Sequence, residues 1–173
     1  MFETEAELAE LKRLLEASFE KTGERVNGIY GADKRLSAQQ LAGFRGVKLL
    51  AVGTVNAKGE PRVAPRGAAF LHGKFYLAAN LGSITVRRLA RNPMVAITYF
   101  ENHLLLMGHG SAAFLPKSDA GFKGISPEWK KAFNGGRDAL QGIDVFLRVD
   151  ATHLVAFAQH PERYPDAWGR PLR

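Results

Sequence analysis

The segment that most constrains this chain runs from Phe75 to Tyr99: Phe-Tyr-Leu-Ala-Ala-Asn-Leu-Gly-Ser-Ile-Thr-Val-Arg-Arg-Leu-Ala-Arg-Asn-Pro-Met-Val-Ala-Ile-Thr-Tyr. It reads as strand, sharp turn, short helix, stop and strand. Phe75 to Ala79 is an apolar run bounded by turn residues. Asn80, Leu81 and Gly82 supply the turn, and Gly82 can take backbone angles that other residues avoid. Ser83 is a good helix N-cap, after which Val86, Leu89 and Ala90 recur at helical spacing. Asn92-Pro93 stops the helix, because proline disfavours helical geometry in the residue before it. Met94 to Tyr99 is again β-type. A helix begun in this way offers unpaired backbone N–H groups at the positive end of its dipole. Such an end suits an anion, most often phosphate, and Arg87, Arg88 and Arg91 add positive charge. An ordinary capped helix with a solvated basic face has the same sequence pattern.

The flanking chain supplies helices first and strands afterwards. Thr4 to about Lys21 fits an amphipathic helix, with Thr4 and Glu7 spaced as a capping box and Leu8, Leu11, Leu15 and Phe19 on one stripe. That stripe needs a cover, either the core or a partner subunit. Gly23 to Lys34 reads as loop, and Ser37 caps a short helix ending near Gly43 to Gly46. Val47 to Val55 is apolar enough for a strand buried on both faces. Asn56-Ala-Lys-Gly59 is a hairpin turn, and Pro61 to Leu71 returns as a strand in which Pro65 argues for an edge or a bulge. His72-Gly73 and Glu101-Asn102 read as turns. His103 to Phe114 is a long strand, with Gly108 and Gly110 marking a bulge or a close backbone approach. Ser126-Pro127 reads as N-cap and first helical residue, Gly135-Gly136 as a break, and Arg137 to Gln141 as one more helical turn. Ile143 to Val149 and His153 to Ala158 are the last strands, and a proline-rich tail follows from His160.

About six strands at short spacing, tight turns and one intervening helix predict a mainly β (α+β) fold, a small antiparallel barrel with peripheral helices. Strict βαβ alternation is absent, which argues against a Rossmann fold. The 173 residues suit one domain, 1–173, with a helical N-terminal extension over 1–45 and a tail over 160–173. A net charge of +7 allows an anionic ligand. With no cysteine there is neither a disulfide framework nor a thiolate metal site. The N-terminus lacks a signal-peptide pattern and no apolar run is long enough to cross a bilayer, so the expectation is a cytoplasmic protein away from membranes.

Taken in order, the apolar run Val47–Val55, the Asn-Ala-Lys-Gly-Glu-Pro that follows it, the Ala-Ala-Asn-Leu-Gly-Ser block ending at Ser83 and the Arg-Leu-Ala-Arg-Asn-Pro-Met-Val-Ala block from Arg88 resemble the pyridoxamine 5′-phosphate oxidase-like, FMN-binding split-barrel superfamily. The resemblance covers residues 45 to 115 well. It implies a homodimeric six-stranded split barrel that holds FMN at the dimer interface and works as an oxidoreductase on a small-molecule substrate. It puts Asn80, Gly82, Ser83 and Thr85 at the cofactor phosphate and Ala78 and Ala79 beside the ring or ribityl chain. Arg62 or Arg66 would reach the same site from the preceding strand. The oxidase itself carries Ser-Arg-Lys after the glycine, whereas this chain has Ser83-Ile84-Thr85. Two cations are absent, each charge-assisted bond being worth about 1.5–3 kcal/mol, and Arg66 and Arg87 are the candidate substitutes. Pyridoxamine phosphate oxidase activity itself is therefore not expected. The same scaffold accommodates a deazaflavin (F420) or a haem, and a non-enzymatic flavin- or anion-binding protein is the remaining alternative.

No residue stands out as catalytic, as expected where a flavin ring carries the redox chemistry. The five histidines include no closely spaced ligand pair, so no metal site is expected. His103 and His109 fall on one face of a strand, too far apart to share a metal. Asp144 and Asp150 read as solvated strand ends. The arginines of the short helix lack interleaved aromatics, since Phe75, Tyr76 and Tyr99 belong to apolar strand patterns, so no nucleic-acid surface is expected.

Overall fold

Thr4 begins the ordered architecture, its hydroxyl accepting from the Glu7 amide while the Glu7 carboxylate takes the Thr4 amide at 2.8 Å. This reciprocal cap starts α1, Glu5–Glu20. A computed structural model describes residues 2–133 and 138–170 of the chain. Beyond α1 come α2 (Glu24–Ile29), a 3-10 turn (Ala32–Lys34), α3 (Ala38–Ala42), β1 (Lys48–Val55), β2 (Pro61–Leu71), β3 (Lys74–Ala79), α4 (Ile84–Arg91), β4 (Met94–Glu101), β5 (Leu104–Pro116), α5 (Ala120–Ala132), β6 (Val145–Ala158) and a second 3-10 turn (Pro161–Arg163). The strands close a six-stranded antiparallel barrel in the order β1-β2-β3-β6-β5-β4. The fold class read from the sequence is the observed one.

Alternate residues of each strand fill the barrel. Leu50, Val52, Phe70, Phe75, Leu77, Val95, Ile97, Leu106, Leu147 and Leu154 meet inside. Burying side chains of this size stabilises by about 1.5–3 kcal/mol each relative to exposure. The apolar stripe of α1 is covered by the chain's own barrel: Leu11, Leu15 and Phe19 are buried, and the Ser18 hydroxyl accepts from the Leu154 amide of β6 at 2.9 Å. A second cluster packs α5 through Phe122, Ile125 and Trp129 onto Phe146 and Tyr76. At the far end Trp168 stacks edge-on against Phe44 and donates its indole N–H to Gln40 O at 2.9 Å.

Several local expectations are corrected. β1 is not buried on both faces; Leu50, Val52 and Thr54 point inward while Leu49 is 67% exposed. Gly23 to Lys34 is not loop throughout, because Asn27 bonds back to Thr22 O and receives Arg35, fixing the α2 turn. The helix expected to begin at Ser126-Pro127 begins at Asp119, whose carboxylate accepts from Gly121 N; Pro127 lies inside α5 and Ser126 turns back to Phe122 O. Residues 138–142 form turns rather than a helical segment. The last two expected strands are one, since β6 absorbs an extra residue at Thr152 as a bulge: His109 faces His153 and Gly110 faces Ala151. The bulge thus lies on β6 and not on the strand of Gly108 and Gly110, where the other expectation holds: β6 backbone approaches so closely that a Cβ at Gly110 would lie 2.7 Å from Ala151 Cα. His103 belongs to the β4–β5 turn, where Asn102 and His103 both have positive φ, and not to the strand. The break at Gly135-Gly136, the start of the turn at Arg137 and the end of the tail lie outside the described residues. Pro65 sits opposite Ala51 of β1, and β2 meets β3 only from Ala68 onward, so Pro65 occupies the edge position it requires.

Candidate functional site

The site is built where β3 runs out. Ala78 and Ala79 end the strand opposite Phe146 and Val145 of β6, with Ala79 buried and Ala78 half-buried. The chain then folds on Asn80: its side-chain oxygen accepts from Gly82 N at 2.8 Å and its carbonyl from Ser83 N at 3.0 Å. Gly82 is not in the left-handed region, contrary to the sequence expectation. Its lack of a side chain matters for space, because a Cβ there would lie 3.1 Å from the Asn80 oxygen. Ser83 caps α4 by accepting from Val86 N at 3.3 Å. Asn92, extended at φ −140°, ends the helix before Pro93. Thr85, Val86 and Leu89 form the buried face, while Ala90 is exposed.

With Gly82, Ser83 and Val86 amides engaged, those of Ile84 and Thr85 have no partner among the described residues. Beneath them Thr85 is 3% exposed, and its hydroxyl accepts from Arg66 Nη2 at 2.6 Å. Arg66 comes from β2, opposite Leu50 of β1. Its Nε is buried without a partner, and no carboxylate pairs with the guanidinium among the described residues. A cation, two open amides and a helix N-terminus thus converge on one spot. Asp144 approaches the turn from the other side, accepting from Leu81 N at 3.3 Å and pairing with Lys117 Nζ at 3.3 Å. Asp144 is therefore not the solvated strand end its sequence suggests; the β3–β6 pairing, which carries the Asp144 amide to Ala79 O, brings it here. Asp150 is likewise engaged, with Arg148 and Lys74, and these partners hold its carboxyl below the ordinary range despite the opposing effect of burial.

The other sequence-selected residues lie apart. Arg62 pairs with Glu60 at the β1–β2 tip at 2.5 Å, four residues along the strand from Arg66, or roughly 13 Å. Arg87 is exposed and lines a groove with Lys58, Ile84, Arg88 and Arg91. The structure therefore gathers Asn80, Gly82, Ser83, Thr85 and Arg66, with Ala78 and Ala79 alongside.

The outside of the barrel is apolar over one broad face. Pairing aligns Gly53 with Val63 and Ala96, Ala51 with Thr98, and Thr98 with Met107, so these residues point outward together. Val63 is 73% and Phe100 71% exposed, with Met94 and Met107 also open. At one margin His109 and His153 stack with ring centroids 4.9 Å apart, and burial, then His109 and Lys21, push the His153 pKa down.

A terminal phosphate monoester fits the donors at the α4 end: the orphaned Arg66 Nε, the Thr85 hydroxyl and two open amides are all hydrogen-bond donors, and the carboxylate that reaches the turn, Asp144, is offset by Lys117. The site holds no nucleophile–base pair.

A sequence profile described as pyridoxamine 5′-phosphate oxidase matches residues 36–151. No curated protein matches the chain. Solved structures share the fold. A conserved hypothetical protein, Rv2991 from Mycobacterium tuberculosis, superposes with a TM-score of 0.64 at 19% identity over 79% of this chain and 93% of that one. The haem storage protein HutZ from Vibrio cholerae gives 0.59 at 20% identity over 72% and 97%. An F420 reductase gives 0.51 at 16% identity over 65% and 93%. At these identities the likeness is one of fold.

Proposed function

This chain belongs to the pyridoxamine 5′-phosphate oxidase family, and from that membership we propose that it is an FMN-dependent oxidoreductase acting as a homodimer on a small-molecule substrate. The observation that carries the reading is Arg66 seated on Thr85 under the open amides of α4, with its own Nε unpartnered. Arg66 supplies the charge that the oxidase takes from the two cations after its serine. Asn80, Gly82 and Ser83 shape the turn around the phosphate, and Thr85 orients Arg66. Ala78 and Ala79, small and at the end of β3, leave room for the ribityl chain or the ring edge. Arg62, paired with Glu60, and Arg87, turned to the outer groove, take no part in holding the phosphate in this reading. The flavin ring supplies hydride or electron transfer when bound. The whole chain, 1–173, serves as one cofactor-binding unit.

The apolar outer face supports the dimer. Isolated exposed apolar residues are ordinary, but a contiguous set on one sheet face marks an interaction surface. A second copy of the chain would cover Val63, Met94, Phe100 and Met107. No helix among the described residues is long and apolar enough to cross a membrane, and the reading requires neither a membrane nor a nucleic acid.

A deazaflavin (F420) or haem in the same scaffold is the second reading. It is favoured by Ile84 and Thr85 standing where the oxidase carries two cations. Titration of the purified protein with FMN, followed by quenching of flavin fluorescence, tests the first reading: saturation at one FMN per chain is expected, and absence of quenching at micromolar protein would refute it.

A further inference from the structure

The helix that presents the phosphate turn carries a second, separate concentration of positive charge. Val86 and Leu89 of α4 are buried against the barrel. Ile84, Arg87, Arg88 and Arg91, at positions i, i+3, i+4 and i+7, instead line a groove of about 360 Å³ facing the β1–β2 turn. Val55, Asn56, Ala57 and Lys58 form the opposite wall. Its volume falls within the usual span of small-molecule sites, about 300–1,000 Å³.

The charge in this groove is unbalanced. No acidic residue lines it, and Lys58, Arg87, Arg88 and Arg91 make no salt bridge among the described residues. Several cations elsewhere are answered, Arg62 by Glu60, Lys117 by Asp144, and Lys74 and Arg148 by Asp150; what sets this groove apart is that four cations from two elements bound one cavity. Glu60, the carboxylate nearest in sequence, is already held by Arg62 and Asn56 and is turned into the hairpin. Compensation of the helix dipole at the α4 C-terminus accounts for Arg88 and Arg91. It does not account for Arg87, in the middle of the helix, or for Lys58, which comes from a different element. Four like charges bounding one groove repel one another, and the arrangement gains from an anion that spans them.

The lining also limits what that anion can be. There is no aromatic side chain on which a nucleobase could stack. Three of the four cations are arginines, whose planar forks match phosphoryl oxygens bidentately. We propose that the groove between α4 and the β1–β2 turn is a binding site for a small ligand bearing two or more adjacent phosphoryl groups, held by Arg87, Arg88, Arg91 and Lys58. The site stands apart from the Arg66–Thr85 pair and does not depend on which cofactor that pair holds. Arg66 and Thr85 lie on the barrel side of α4 and the groove on its outer side, so both can be occupied at once.

The test uses the full chain and inorganic tripolyphosphate, with orthophosphate and triglutamate as comparison probes, in isothermal titration at about 0.15 M salt, where free surface charges are well screened. Tripolyphosphate is expected to bind at least tenfold more tightly than either. Arg87→Gln and Arg91→Gln are each expected to weaken it about tenfold or more, as loss of a charge-assisted bond implies. Arg13→Gln, on the outer side of α1, should leave it unchanged. Both groove residues are exposed, so unfolding temperature should not move and serves as the folding control. FMN titration of the Arg87→Gln/Arg91→Gln double variant separates the two sites, with retained FMN binding beside lost tripolyphosphate binding expected. Equal affinity for tripolyphosphate and orthophosphate, stronger binding of triglutamate, or undiminished binding by the double variant would each overturn the assignment.

Discussion

Gly110 is where the barrel tolerates least change, and Gly110→Ala is the sharpest test of its architecture. The residue lies beside the β6 bulge, where β5 and β6 change register after His109 and His153. A Cβ at Gly110 would lie 2.7 Å from Ala151 Cα and 2.9 Å from the Asp150 carbonyl carbon, and closer still to that carbonyl's oxygen. These are backbone atoms, so no side chain can swing away; β6 itself must move. Forcing extra volume into a packed site costs typically about 1–3 kcal/mol, and with backbone as the obstacle the upper end applies. For a chain of this length about 3 kcal/mol corresponds to a fall of roughly 6–12 °C in unfolding temperature. Gly53→Ala is the internal control: its Cβ would lie 3.4 Å from Ala96 Cβ, a contact its neighbour can relieve, and a change within about 1 kcal/mol is expected. Urea unfolding followed by circular dichroism measures both. If Gly110→Ala unfolds within about 0.5 kcal/mol of the parent, the register at the bulge is not the one described.

Three further perturbations probe the site and its supports. Arg66→Gln removes the cation that bonds Thr85 and should weaken FMN binding about ten- to hundredfold, read by fluorescence quenching, with Tm confirming that the variant folds. His72 joins α1 to α5, with Nδ1 3.1 Å from Glu7 and Nε2 2.6 Å from Glu128. Burial opposes its positive charge, but the Glu7 hydrogen bond and the carboxylates of Glu128 and Glu7 outweigh this and raise its pKa above 6.5. A raised histidine pKa stabilises the fold below 6.5 and loses that contribution as pH rises through the folded value. His72→Gln should therefore flatten the decline in stability above pH 6.5. The effect should stay under about 1 kcal/mol because all three groups are partly exposed, and an unchanged pH profile would count against the clamp. Val63→Glu places a charge on the open outer face without disturbing the core and should convert the proposed dimer to a monomer in light scattering; a monomeric parent would remove the dimer from the account.

What could be read from the sequence was what is locally determined. The Thr4–Glu7 capping box, the bounds of β2 and the Ser83 cap depend on residues a few positions apart, and each lies where the pattern put it. The start of α5 was obscured because Gly121, Gly124 and Pro127 interrupt a helix whose real signature is Phe122, Ile125, Trp129 and Ala132, all buried under the barrel. The single strand β6 was read as two because nothing local marks Thr152 as a bulge; the bulge is fixed by β5 across the sheet. The same division runs through the site. The turn from Asn80 to Ser83 is visible in the chain, whereas the direction of Arg66 and Arg87 is set by strand pairing and helix phase. Arg66 is carried to Thr85, and Arg87 is turned to the outer groove.

The most direct measurement on the central claim is the absorption spectrum of freshly purified protein, followed by denaturation and identification of the released small molecule. The account predicts a flavin spectrum and FMN as the released species, either as purified or after incubation with FMN. A deazaflavin or haem spectrum, or a colourless protein that leaves added FMN free, would contradict it.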